Sequence, residues 1–278
     1  TTADNTNTVA WTAAKTLTSK THLTLESTTN SITATAALTL LAEEGISILD
    51  DMTGGTGALV INADNDSSGT DGTLTVQTGK TITSNNQAVT ITAWDVDLDG
   101  SLAAGSGAVK ITGSISGQTI GVGDTAANMH IAVLELQRIT STAGLTVGGS
   151  SARGGLVTVD GVTQASSANI DGTVTLQAFV DDSTISFATA TSTFYALAAQ
   201  ADNGVTGAVD LTTDTGILYL DGDYDDSTTA DNTNTVAWTA AKTLTSKTHL
   251  TLESTANSIT ATAALTLLAE EGISILDD

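Results

Sequence analysis

The chain has no cysteine, which excludes disulfides, thiolate nucleophiles and cysteine-bound metals. It has no proline either. Every residue can therefore donate to a backbone ladder, and the turns fall to Gly, Asn, Asp and Ser. Aromatic residues make up 3% of the 278, so the large side chains that fill most globular cores are missing. Bases are scarce: 8 Lys and Arg face 31 Asp and Glu, for a net charge of −23. So acidic a surface repels phosphates, which argues against nucleic acid and anionic membranes as partners. No apolar run approaches the ~20 residues a helix needs to span a bilayer. No signal peptide is visible. The chain opens Thr-Thr-Ala-Asp-Asn without a methionine and reads as an interior cut, so targeting information is expected outside it.

What remains is aliphatic. The apolar fraction is 40%, carried by Ala, Val, Ile and Leu, enough for a narrow continuous core and too much for a disordered chain. These residues recur in short apolar–polar–apolar anchors: Leu23-Thr24-Leu25, Leu38-Thr39-Leu40, Leu59-Val60-Ile61, Leu74-Thr75-Val76, Val89-Thr90-Ile91 and Val109-Lys110-Ile111. Leu145–Val147, Val157–Val159, Val174–Leu176 and Val209–Leu211 continue the series. This is the period of a half-buried strand, with threonine suited to the outer slots. Gly54-Gly55, Asp71-Gly72, Gly148-Gly149, Asp160-Gly161 and Asn203-Gly204 mark turns between them.

Residues 1–51 return as residues 228–278 with a single change, Thr29 to Ala256. The offset of 227 residues is the signature of a tandem array, in which each unit is packed by its neighbours. Residues 1–227 read as one unit and 228–278 as the start of the next. Small core residues, a long tandem period and one recurring anchor together predict an all-β fold: a right-handed parallel β-helix, or β-solenoid, forming a rod. At one rung per ~20 residues and ~4.8 Å per rung, a unit is expected to hold about 11 rungs and to span about 50 Å. Thr33–Gly45 and Ala126–Thr140 also carry helix-forming residues. Both read as strands, through Leu38 and Leu40 and through Ile131 and Val133, with a short helix as the alternative in the second.

Within Ala88–Val162 stand Asp95-Val96-Asp97-Leu98-Asp99-Gly100, then a Gly-Ser-Gly turn, then Ala108-Val109-Lys110-Ile111. Gln118-Thr119-Ile120-Gly121, Leu134–Ile139 and Leu145-Thr146-Val147-Gly148 follow. This segment resembles repeats of filamentous-haemagglutinin-like giant bacterial surface proteins, the β-strand-repeat and two-partner-secretion adhesin type. The resemblance implies an extended β-helix, secretion, and a surface, adhesive or filament-forming role. It implies no catalytic residue. Trp94 departs from the small or acidic residue expected there.

Three acidic sets are candidate calcium sites. Asp95, Asp97, Asp99 and Gly100 form D-x-D-x-D-G, the opening of a calcium loop, but Ser106 stands where a bidentate Glu would close it. The plainer reading is an acidic outer strand face. Asp64, Asp66 and Asp71, with Ser68 and Gly69, form a second set, and Asp221, Asp223 and Asp225 a third near the repeat junction. If Leu218 and Leu220 point inward, the odd-numbered acids of the third set share an outer face, where calcium would relieve their repulsion. His22 and His249 are repeat mates expected on the outer face, and no second His or Cys stands near enough in sequence for zinc. Trp11 and Trp238, also repeat mates, are expected to pack at corners.

No nucleophile elbow, phosphate loop or dinucleotide fingerprint is present, and the only arginines are Arg138 and Arg153. The expectation is a non-enzymatic structural protein, extracellular or at a cell surface, forming a filament, sheath or surface fibre. Its partners are neighbouring repeats, copies of itself, and glycans or cell surfaces. The alternative is a glycan- or ice-binding solenoid, suggested by Thr16-Leu17-Thr18, Thr81-Ile82-Thr83 and Thr90-Ile91-Thr92.

Overall fold

In the computed structural model the described residues are 8–27, 31–149, 153–226, 233–255 and 257–277. They coil as a parallel β-helix whose successive strands step around three faces. Val9–Trp11 opens the first face, Lys15–Ser19 the second and Leu23–Leu25 the third. Ile32–Ala34, Leu38–Ala42 and Ile46–Ile48 then stack on them in the same order, each pair parallel. The fold is thus the expected all-β, right-handed solenoid, right-handed connection being the sense that parallel crossovers adopt.

The second face is unbroken. It is an 11-stranded sheet running from Lys15–Ser19 to Gly272–Asp277. Its inward residues form two continuous columns. One runs Leu38, Leu59, Val89, Val109, Leu145, Val174, Leu197, Leu218, Leu250. The other runs Leu40, Ile61, Ile91, Ile111, Val147, Leu176, Ala199, Leu220, Leu252. All of these side chains are fully buried. At roughly 1.5–3 kcal/mol for each buried Val, Leu or Ile, these columns are the main source of cohesion along the rod. They also explain the aliphatic composition, because stacked identical slots favour side chains of one size.

The other faces each change sheet once. The first face is a 6-stranded sheet ending at Ile139–Ser141, continued by a 4-stranded sheet beginning at Ser192–Phe194. Between them lies a short helix, Gln164–Ser167, started by Thr163, whose hydroxyl accepts from the Ser166 N–H. The third face is a 4-stranded sheet ending at Asp95–Leu98, continued by a 7-stranded sheet whose edge strand is Met129–Ile131. There the chain overshoots to Ile120–Gly123 and doubles back to Met129–Ile131. It then enters the short helix Val133–Gln137.

Several expectations need correction. Val133 belongs to that helix rather than to a strand, because the doubled-back chain must turn sharply to reach the first face. Val209 lies at a corner, buried, while the strand is Leu211–Thr213. Trp238 is not a corner residue: it ends the strand Val236–Trp238 and points into the core, 1% exposed. Nine turns, not eleven, separate Lys15–Ser19 from His249–Ser254 on the second face. Turns are longer than expected because loops such as 63–72 and the excursion through 114–138 are spliced into them. Spacing was ambiguous for the same reason. Leu38 and Leu59, 21 apart, are ladder partners, as are Val89 and Val109, 20 apart, whereas Leu23 and Leu38, or Leu59 and Leu74, each 15 apart, stand on different faces.

Candidate functional site

The acidic set of Asp64, Asp66 and Asp71 sits where the chain leaves the second face after Leu59–Asn62. Asp64 is fully buried, while Asp66 and Asp71 are exposed. The Ser68 N–H donates to Asp64 Oδ1 at 3.3 Å, and the Ser68 hydroxyl donates to Asp66 Oδ2 at 2.8 Å. Asp64 Oδ2 has no hydrogen-bond partner. Burial pushes the Asp64 carboxyl up, with Asp66 adding to the rise, while the Ser68 hydroxyl holds Asp66 down. Gly72, at φ +90°, closes the loop, and a Cβ there would meet Asp64 Cβ at 2.3 Å.

The set of Asp95, Asp97 and Asp99 lies on the outer side of the strand Asp95–Leu98, with Val96 and Leu98 inward. Asp97 and Asp99 are exposed. Asp95 has a specific structural task. Its Oδ1 accepts from the N–H of Val96 and from the N–H of His130, both at 2.9 Å. Glu135 does the same from the other side, accepting from Leu98 N–H at 2.9 Å and from Ala132 N–H at 2.8 Å. These two carboxylates bridge the two sheets of the third face at the point where the backbone ladder is interrupted. Arg138 closes the seam, donating to the Leu98 carbonyl and approaching Asp99 at 3.7 Å. Burial pushes both Asp95 and Glu135 up, and the backbone N–H groups partly offset it. Nearby, Gln118 is buried and its amide joins Ser114 N–H to the carbonyls of Ala93 and Trp94.

The third set lies at the end of the first unit, beside the start of the second. Leu218 and Leu220 do point inward, but Asp221 and Asp223 are buried at 5% and 1%, and only Asp225 is exposed. The expected outer acidic row is therefore covered. The cover is Tyr219, whose hydroxyl reaches Asp221 at 3.0 Å and Glu253 at 2.6 Å. Asp221 and Glu253 are ladder neighbours, one from the first unit and one from the start of the second. Burial first, with the Glu253 charge adding to it, pushes the Asp221 carboxyl up to about 6. Burial and the two acids push the Tyr219 hydroxyl up as well. Beside them Asn234 donates to Asp223 at 3.0 Å, and Asn203 Oδ1 accepts from Thr233 N–H at 3.0 Å.

Neither histidine repeat mate gathers metal ligands. His22 Nε2 lies 2.8 Å from Ser47 Oγ, and His249 Nε2 lies 2.8 Å from Ser274 Oγ. Among the described residues no group of three or more His, Asp or Glu side chains converges as a metal site. A cleft of about 500 Å³ runs along the first face, lined by Thr212, Asp214, Thr245, Lys247 and Glu270. The outward row of the second face includes Thr16, Thr39, Thr90, Thr146, Thr175 and Thr251, but Val60, Lys110, Ala198 and Tyr219 break it. It is no flat threonine lattice.

Glu135, Gln118, Tyr219 and Glu253 carried no sequence signal as partners, since Glu135 bonds 37 residues away and Tyr219 bonds 34 away. No helix among the described residues is long and apolar enough to cross a membrane. Comparison with known protein families, with curated proteins and with solved structures finds no match.

Proposed function

We propose that this chain is part of a long, non-enzymatic structural filament built from tandem solenoid units, located outside the cell or at its surface. One observation carries the reading. The second copy of the repeated sequence continues the same 11-stranded sheet that holds the first. Among the described residues no closing element interrupts this sheet between the copies, which supports addition of further units along the axis. The polar groups with perturbed protonation stand in structural bridges rather than around a shared cleft, which favours a mechanical role over catalysis. The resemblance of Ala88–Val162 to filamentous-haemagglutinin-like surface proteins supports the same role, including adhesion to glycans or to other cells.

Calcium is the counter-ion proposed for this surface. With net charge −23, neighbouring rods repel unless cations intervene. Asp66, Asp71, Asp97, Asp99 and Asp225 are the exposed acids available to it, with the buried Asp64, Asp221 and Asp223 and the half-buried Asp95 behind them.

Cryo-electron microscopy of the native material, with and without a chelator, tests both parts. Continuous rods with rungs ~4.8 Å apart, splaying when calcium is removed, are expected. A discrete particle with a deep pocket would overturn the filament. Calorimetric titration with no heat and no thermal shift on adding calcium would remove the cation.

A further inference from the structure

The two copies of the repeated sequence form the same strands but on different faces. Val9–Trp11, Lys15–Ser19 and Leu23–Leu25 occupy the first, second and third faces. Their counterparts Val236–Trp238, Lys242–Ser246 and His249–Ser254 occupy the third, first and second. The second rung of each copy repeats the shift: Leu38–Ala42 lies on the second face, and Leu265–Ala269 on the first. Every strand of the second copy has moved back by one face.

The junction is built for this offset. Trp238 stacks over Gly207, where a Cβ would meet the indole at 2.4 Å. Its ring lies 6.1 Å from that of Phe187, and its Nε1 donates to the Val209 carbonyl at 2.8 Å. On the first face Leu244 stacks on Leu211, and on the second Leu250 and Leu252 stack on Leu218 and Leu220. All of these side chains are buried. The end of one unit thus presents a socket, with a glycine at the tryptophan position, that accepts the first rung of another unit in this orientation.

We propose that successive units of the array join with a rotation of one third of a turn. Each unit's first face then continues the third face of the unit before it, and the rod regains its starting orientation every three units. The proposal rests on the tandem-array reading. It adds the interface through which one unit docks on the next and the order in which surfaces are displayed. The seam at Asp95 and Glu135, and the acids beside it, recur on each of three sides in turn. A second rod or a surface ligand therefore meets the same chemistry from three directions.

The natural absence of cysteine permits a direct test on this chain. Ladder neighbours stand ~4.8 Å apart, within disulfide reach. Thr212 neighbours Thr245 on the first face, and Tyr219 neighbours Thr251 on the second. The paired variants Thr212→Cys with Thr245→Cys, and Tyr219→Cys with Thr251→Cys, are expected to crosslink under mild oxidation. An unrotated junction would instead lay Lys242–Ser246 on the second face, beside Tyr219. Crosslinking of Tyr219→Cys with Thr243→Cys, the repeat mate of Thr16 in that row, or at neither expected pair in a chain whose circular dichroism is unchanged, overturns the rotation. A map of a three-unit array extends the test, with the tryptophans that begin the three units expected on three different faces. The crosslinks are read in solution whether or not rods assemble, so failure of the filament reading and failure of the rotation give different results.

Discussion

Trp11 and Trp238 share one local sequence and two environments. Trp11 is half-buried on the opening rung, while Trp238 is 1% exposed between Phe187 and Gly207. At the other side of each copy the contrast reverses. Ile46 and Ile48 are fully buried under Leu74 and Val76, whereas Ile273 and Ile275 are 43% and 57% exposed. Local structure is the same in both copies, and burial is not. The alternation of apolar residues suffices to make the strand, but the neighbouring rung supplies the core. This is the behaviour of a one-dimensional stack, where stability resides in the interfaces between repeats.

Paired substitutions sharpen the contrast. The largest effect is expected from Trp238→Ala, at about 3–5 kcal/mol for a fully buried aromatic, against about 1–2 kcal/mol for Trp11→Ala, measured by denaturant unfolding followed by circular dichroism. Gly207→Val should act like Trp238→Ala, because its side chain would occupy the indole's place. Equal losses at Trp11 and Trp238 would break the comparison. Next in size, Ile48→Ala should cost about 2–4 kcal/mol and Ile275→Ala less than about 1 kcal/mol. Hydrogen exchange should show the loss confined to adjoining rungs.

A smaller effect concerns the junction alone. The Asp221 carboxyl is held up to about 6 in the folded chain, from 3.8. Between these values the folded state binds a proton that the unfolded state does not. The resulting stabilisation is complete below the lower value and lost as pH rises through the upper one. Melting temperature is therefore expected to rise by a few degrees from pH 7 to pH 5. Asp221→Asn should flatten that part of the profile, while Asp225→Asn should leave it unchanged. An unaltered profile in Asp221→Asn would show that the junction does not titrate.

The smallest effects should be equal in the two copies. Lys20 pairs with Glu43 as Lys247 pairs with Glu270, both on the surface, and His22 meets Ser47 as His249 meets Ser274. Removing either histidine or either lysine should leave the melting temperature nearly unchanged. A difference between copies here would mean that burial alone does not separate them.

The strands were legible in the sequence because their period of two needs only local information, and Leu38–Leu40 or Val89–Ile91 declares it. The coil was legible from the tandem repeat and the small core. What escaped was set by distance along the chain. Val209 has the pattern of a strand but lies at a corner, since corner length depends on the rungs above and below. Asp95 stands in an acidic run, but its bond from the His130 N–H, 35 residues away, has no local signature. Face assignment was hidden altogether, because a Leu-Thr-Leu anchor fits any face and irregular loops prevent counting turns by residue number.

The one-face offset between copies also bears on curvature. The three faces of a unit are unequal: one is an uninterrupted sheet, another carries a helix, and the third doubles back. A rod with unequal sides bends toward one of them. Stacked without rotation, such bends would add up to a coil. Turned by a third at each junction, they point in three directions and cancel over every three units. Long arrays built this way should be straight and equally stiff about every transverse axis.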